Sequence, residues 1–193
     1  MAILKVLKYG DERLRQKSKE VSKISKKIQK LIDDMLQTMY AQNGVGLAAV
    51  QVGELLRVVV IDVSPPDGPI DPIVFVNPKI IKKSGAMNSN EGCLSFPKAY
   101  TDVRRYASVT VKALDRHARP FVVEAEPNSL LSRALQHELD HLDGILFIDH
   151  CRNIFEADEI LKQNDLPPID STKLLPENEL EEQILLQPKE GEK

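Results

Sequence analysis

Between Gln136 and Gly144 the chain reads Gln-His-Glu-Leu-Asp-His-Leu-Asp-Gly. His137 and His141 are four positions apart, so in a helix they share one face, about one turn from each other. That spacing lets two imidazoles reach one metal ion, and it places Glu138 to touch a water on that ion. Leu130, Leu131, Ala134, Leu135, Glu138, His141 and Leu142 recur at helical period, which puts the site on the stripe that faces the core. Asn128 or Ser129 can cap the start of this helix, and Gly144 is suited to a left-handed stop. The plain alternative is an ordinary helix with two solvated histidines. Against it, a carboxylate and two imidazoles beside leucines need a partner, and a metal supplies one.

A catalytic metal site usually has three protein ligands and one open position. The third ligand is open on residue type and spacing alone. A third histidine six residues after the second would mark a metzincin, but that position is Phe147. A thermolysin-like site would take a downstream glutamate, for which Glu156 and Glu159 are at workable distance. Cys93 is the remaining candidate, upstream on a tight Glu-Gly-Cys-Leu-Ser turn, and a thiolate is a strong soft ligand for zinc or iron. A lone cysteine is more often a small buried hydrophobe.

The elements that must position these groups read as α+β. Ile24, Ile28, Leu31, Ile32, Met35, Leu36 and Met39 predict a packing helix from about Ser25, stopped at Asn43 and Gly44. Residues 44–53 are rich in glycine and alanine and leave room for a close backbone approach, and Gln51 stands out among them as a polar side chain that needs a partner. Residues 57–62 and 73–76 read as strands, with 79–83 beside them, and residues 103–114 and 121–125 read as further strands. The apolar residues at 3, 6 and 7 suggest a short strand or edge. A last helix is expected near Asn153, ended by Pro167 and Pro168. Residues 166–193 read as an acidic, mobile tail with one short helix around 177–186, attached to a single domain over 1–165. Antiparallel strands followed by the metal helix give α+β rather than an alternating doubly wound sheet.

Composition excludes several classes. Of 193 residues, 42% are hydrophobic and 28% charged, ordinary values for a globular protein. Residues 156–193 carry 11 acidic and 4 basic side chains, a net −7, which leaves +4 on residues 1–155. No direct nucleic-acid site is evident. Two cysteines make no disulfide framework, no run of about 18 apolar residues would span a membrane, and no targeting segment is seen. The expectation is a cytoplasmic protein. Cys151, His117 and His150 are assigned no chemistry, and Asp140 and Asp143 are either partners of the ligands or helix-end polar groups.

Three stretches together resemble the peptide deformylases: Gly-Val-Gly-Leu-Ala-Ala-Val-Gln over 44–51, Glu-Gly-Cys-Leu-Ser over 91–95, and Gln-His-Glu-Leu-Asp-His over 136–141. Their order and separations match, and the likeness covers about the first 150 residues. The resemblance implies antiparallel sheets packed around a central metal-binding helix, with helices toward both ends of the chain. It implies one divalent metal held by Cys93, His137 and His141, Fe2+ in the cell with Zn2+ or Ni2+ as substitutes, and a water or hydroxide at the fourth position. The implied reaction removes the formyl group from the formyl-methionine of new polypeptides and releases formate. Glu138 would act as general base and acid, Gln51 and the backbone N–H of Leu94 would donate to the developing oxyanion, and Gly44, Val45 and Gly46 would bind substrate. The implied partners are formyl-methionyl nascent peptides, with a transient ribosome contact compatible with that role. The chain departs from the family pattern at Val50, where proline is common, and at residues 96–98 and 127–129. None of these positions is a ligand.

Three other readings compete. One is a thermolysin-like zinc endopeptidase using Glu156 or Glu159. Another is a non-enzymatic protein with a closed structural metal site, and the third is a hydrolase with Cys93 as nucleophile.

Overall fold

The computed structural model describes residues 2–151 and 153–175. Ten elements follow in order: α1 (Lys26–Ala41), β1 (Gly46–Ala48), β2 (Val58–Ile61), β3 (Ile73–Ser84), β4 (Met87–Cys93), β5 (Phe96–Arg105), β6 (Ser108–Leu114), β7 (Pro120–Ala125), α2 (Leu130–Leu142) and α3 (Ile154–Gln163). β1, β2, β3, β6 and β7 form an antiparallel sheet in that order, and β4 with β5 forms a separate antiparallel hairpin. The fold is α+β, as the sequence predicts.

The sheet is buried on both faces at its centre, which explains the unbroken apolar run of β2. Val59 and Ile61 point to one face and pack with Phe75, Val109, Val111 and the α2 residues Ala134, Leu135, Leu139 and Leu142. Val58 and Val60 point to the other face and pack with Ile28, Ile32, Met35 and Met39 of α1. A third cluster joins the hairpin residues Phe96, Ala99 and Val103 to Phe147, Ile148 and the α3 residue Leu161. α2 therefore lies between the sheet and the hairpin. It is buried on two sides rather than on one stripe, and its polar residues Gln136, His137, Glu138 and His141 are buried with the leucines.

Several sequence expectations need correction. Residues 2–9 run extended but form no strand; instead the Leu7 N–H donates to Gln51 O and the Tyr9 N–H to Ser95 O. The segments 73–76 and 79–83 are one strand, carried through Asn77 and Pro78 by a shift of register. Such an irregularity is where proline, which has no N–H to give the ladder, is tolerated in a sheet. The expected strand over 103–114 is two strands in different sheets. The break falls at Tyr106 and Ala107, and the Gln136 amide pins it by accepting from the Tyr106 N–H and donating to its carbonyl, both at 2.9 Å. The polar strand β4 was not signalled by apolar alternation.

Other expectations hold. Ser25 caps α1 and Ser129 caps α2, each side chain accepting an N–H from the first turn. α3 begins after Asn153, whose side chain accepts from the Glu156 N–H. Leu166 and Ile169 pack on the hairpin cluster, and the helix expected around 177–186 lies outside the described residues.

Gly144 ends the metal helix at φ 75°, with the Arg15 carbonyl where a Cβ would stand. Alanine here must adopt a left-handed backbone, which costs about 1–3 kcal/mol, and its methyl would collide with Arg15. Gly144→Ala is expected to lower the urea midpoint accordingly. An unchanged midpoint would mean that the turn relaxes freely and that this packing is unimportant.

Candidate metal centre

The centre is built from two elements that are distant in sequence. β4 and β5 pair regularly from Met87 opposite Arg105 to Gly92 opposite Tyr100, and the register then shifts so that Cys93 faces Phe96, with Leu94 and Ser95 as the turn between them. That turn presents the Cys93 sulfur to α2. Its Sγ lies 3.2 Å from His141 Nε2, and the ligand atoms of Cys93, His137 and His141 lie within 4.8 Å of one another. Among the described residues, these three form the group of side chains able to hold a metal ion. Glu156 and Glu159 are exposed on α3 and are not part of it.

The surroundings fix each donor. Gln51 is buried, and its Oε1 accepts from the Ala48 N–H at 2.8 Å, which turns the amide nitrogen toward the cavity. That nitrogen donates to Cys93 Sγ at 3.4 Å and to Ser95 Oγ at 3.2 Å. The Ser95 N–H also donates to Sγ at 3.4 Å. His137 Nδ1 faces Glu91 Oε2 at 2.9 Å, which leaves Nε2 for a ligand role. Glu91 is in turn gripped by Arg105, Nε to Oε1 at 3.0 Å and Nη2 to Oε2 at 2.9 Å. Arg105 also donates to Asp140, which lies 2.8 Å from His150 Nε2.

The electrostatics suit a cation. Burial holds His141 well below its ordinary pKa, reinforced by the charge of His137, so it is a neutral imidazole with a lone pair to give. Its Nδ1 is buried with no partner among the described residues. His137 behaves oppositely. Burial would lower its pKa, but hydrogen bonding and charge from Cys93 and the bond to Glu91 raise it well above the ordinary value. A cluster that draws a proton onto His137 is one whose sulfur and carboxylate favour positive charge between them. The soft sulfur and the two ring nitrogens make a donor set suited to a transition metal. Cys93, His137 and His141 fit such an ion.

Glu138 lies beside this group, with its pKa pushed up to about 7, first by burial and then by the Glu91 charge, against the lowering effect of His137. Its Oε2 is buried without a partner among the described residues. A Cβ at Gly46 would overlap the Glu138 carboxyl, so glycine is what lets β1 approach α2 there. The adjoining cavity has a volume of about 480 Å³ and is lined by Gly44, Val45, Gly46, Gln51, Leu94 and Glu138, among others. Val45 is exposed on its rim. All nine residues singled out from the sequence thus converge on one place.

A family model described as polypeptide deformylase matches residues 3–156. The chain belongs to this family. It is 51% identical over 149 residues to a peptide deformylase of Thermodesulfovibrio yellowstonii, covering 77% of this chain and 89% of that one. It is 45% identical over 181 residues to one of Symbiobacterium thermophilum, covering 94% of this chain and 81% of that one. Among solved structures, a peptide deformylase of Synechococcus elongatus in complex with actinonin superposes with a TM-score of 0.81 at 40% identity, over 91% of this chain and 92% of that one. One from Legionella pneumophila gives 0.79 at 44% identity, over 85% and 94%. No helix among the described residues is long and apolar enough to cross a membrane.

Sequence reasoning missed Glu91, Arg105 and Ser95 as supports of the site and gave His150 no role. Glu91 lay inside a recognised stretch, and its place before the glycine and cysteine was a usable signal. Arg105 carried none, because one arginine in a basic, alternating segment looks like a surface residue. In the structure its side chain is 2% exposed.

Removing Arg105 would leave the buried Glu91 and the part-buried Asp140 without their shared cation. Arg105→Met is expected to cost about 3–5 kcal/mol of stability at neutral pH. The Glu91 carboxyl is held well below the carboxylate range, so its contribution is present at neutral pH and is lost as the pH falls. The deficit of the variant should therefore shrink below roughly pH 4, where unpaired carboxylates protonate. Urea titrations at both pH values check this, and a deficit independent of pH would refute the ionic account.

Proposed function

We propose that this chain removes the formyl group from the N-terminal formyl-methionine of newly made polypeptides, giving formate and a free amine. The observation that carries this reading is Cys93 of the hairpin meeting His137 and His141 of α2 beside the unpartnered carboxyl of Glu138, in a chain of the deformylase family. Cys93, His137 and His141 would hold one divalent ion, Fe2+ in the cell with Zn2+ or Ni2+ able to replace it. Such an ion, when bound, makes water a nucleophile at neutral pH and polarises a carbonyl.

The protein residues supply the remaining chemistry. Glu138, with a pKa near 7, can accept the proton of the attacking water and return it to the amine as the carbon–nitrogen bond breaks. Charge grows on the formyl oxygen as water adds to the carbon. The Gln51 amide nitrogen, aimed by the Ala48 N–H, would donate to that oxygen together with the backbone N–H of Leu94. Gly44 and Gly46 would let the peptide backbone lie close, and Val45 would wall one side of the methionine side chain. Residues 1–165 are assigned the chemistry and the acidic remainder none. The substrate makes the ribosome a transient neighbour and the cytoplasm the place of action.

The exposed positions of Glu156 and Glu159 argue against the endopeptidase reading, and the open cavity argues against a closed structural site. The test is formate release from formyl-Met-Ala-Ser by anaerobically prepared protein, with metal assayed on the same samples. Cys93→Ala should lose metal and activity together. Glu138→Gln should keep its metal and lose ~100–10,000-fold in rate. Metal-loaded wild type that releases no formate would overturn the substrate assignment, and Cys93→Ala that keeps its metal would overturn the ligand assignment.

Gly46→Ala offers an independent check on the geometry. Its methyl would displace the Glu138 carboxyl, so metal content should hold while kcat falls by an order of magnitude or more, in proportion to the general-base contribution lost. Unchanged kcat would mean that the close approach of β1 to α2 has no role in placing Glu138.

A further inference from the structure

Two ties run in parallel from β4 to α2. Ser89 and Glu91 are buried, two residues apart on one face of the strand, and Arg133 and His137 stand one turn apart on one face of the helix. His137 Nδ1 meets Glu91 at 2.9 Å, whereas Arg133 Nη1 donates to Ser89 Oγ at 3.5 Å. The first tie gives a histidine a carboxylate. The second gives a guanidinium only a hydroxyl, at the long limit of a hydrogen bond.

Arg133 therefore has donors to spare. A guanidinium carries five N–H groups. Arg13, Arg15, Arg57, Arg105, Arg116 and Arg119 each pair with a carboxylate. Among the described residues Arg133 pairs with none, and its Nε–H is buried without an acceptor. Arg133 and Ser89 both line the reaction cavity. The α2 residues in that lining are Leu130, Arg133, Ala134, His137 and Glu138, so the cavity extends from Glu138 toward the start of the helix. Leu130, 41% exposed, marks its outer end.

We propose that Arg133 and Ser89 form a polar end to the pocket for the first side chain, through which this chain also accepts peptides that begin with formyl-methionine sulfoxide. The inference rests on the deformylase reading above. An extended methionine side chain spans about 5 Å, roughly one helical turn. One that starts beside Glu138 thus ends beside Arg133. The thioether sulfur is a weak acceptor and gains little there. Oxidation makes that same atom polar, with an oxygen that needs a donor. An apolar pocket end would strip the oxygen of water and exclude it. The spare guanidinium donors and the Ser89 hydroxyl meet it here.

Formate release from three peptides that differ only in the first side chain tests this. They are formyl-Met-Ala-Ser, its separated sulfoxide epimers, and formyl-norleucine-Ala-Ser, which keeps the shape without sulfur. Wild type should process the faster epimer within about tenfold of methionine in kcat/KM. Arg133→Leu should lower the ratio of sulfoxide to norleucine kcat/KM by about tenfold or more, because the buried oxygen is left unpaired. Arg133→Lys, which keeps a donor, should restore most of that ratio. Wild type slower than this on both epimers, a ratio unchanged in Arg133→Leu, or an equal loss in Arg133→Lys would each overturn the proposal, while formate from the methionine peptide upholds the deformylase reading. No formate from any of the three by metal-loaded protein would sink that reading and this inference with it.

Discussion

The structure depends on the buried guanidinium of Arg105. Among the described residues it is the cation that pairs with both carboxylates supporting the metal helix, Glu91 on the hairpin and Asp140 on α2. Without it, the hairpin and the helix would meet across the buried Glu91 and the part-buried Asp140 with no shared cation, which desolvation makes costly. With it, Glu91 is rigid and fully ionised, and can orient the His137 ring through Nδ1. The same contact sets the distance between hairpin and helix, and so brings Cys93 to His141. Cys93, 44 positions from the nearer histidine, is thereby positioned by one ionic cluster rather than by chain proximity. Such a cluster is weak evidence for stability, because burying charge is costly. Its value lies in admitting only one arrangement of the two elements.

Small residues do the complementary work where elements must touch. β1 can reach α2 only because Gly46 has no side chain to strike Glu138, and the turn after α2 can pass Arg15 only because Gly144 has none. Gly92 similarly leaves room for the Tyr100 ring across the hairpin. Residues 46–48 thus form a strand at the edge of the sheet while residues 44–46 border the cavity. Val45 is exposed at the cavity rim, and the strand residues that follow it are buried. A peptide laid in that cavity would meet backbone rather than side chains along this edge.

The legibility of the chain followed the strength of its periodic signals. Both α1 and α2 were readable because apolar spacing, capping serines and a stop residue agreed for each. The metal histidines were readable because helical spacing converts directly into proximity. The division of 103–114 into two strands was hidden because Val103, Arg105, Val109, Val111 and Ala113 keep the same parity straight through the break. No glycine or proline marks Tyr106 and Ala107, and the cause of the break is a tertiary contact from Gln136. β4 was hidden for the opposite reason. Met-Asn-Ser-Asn-Glu-Gly-Cys has no apolar face, because one of its buried side chains is Glu91, a partner of the site rather than part of a hydrophobic core. The third ligand likewise could be chosen from the sequence only by resemblance, since spacing alone allowed Cys93, Glu156 and Glu159.

The two carboxylates nearest His137 show how one small region assigns different work to the same chemical group. Glu91 and Glu138 are both buried, and burial raises the pKa of each. Arg105 and His137 overcome that effect for Glu91 and hold it ionised. Glu138 receives the charge of His137 but no bond to Oε2 from the described residues, so burial prevails and its pKa settles near 7. A proton can then be taken up and released at neutral pH without a large driving force in either direction, as a residue acting first as base and then as acid needs. A further hydrogen-bond donor beside Glu138 would make it resemble Glu91, more firmly held and useless for moving protons. Gly46, which packs against the carboxyl, has no side chain to donate to it. The residue that allows the close packing of β1 and α2 thus lies against the carboxylate whose burial keeps it basic.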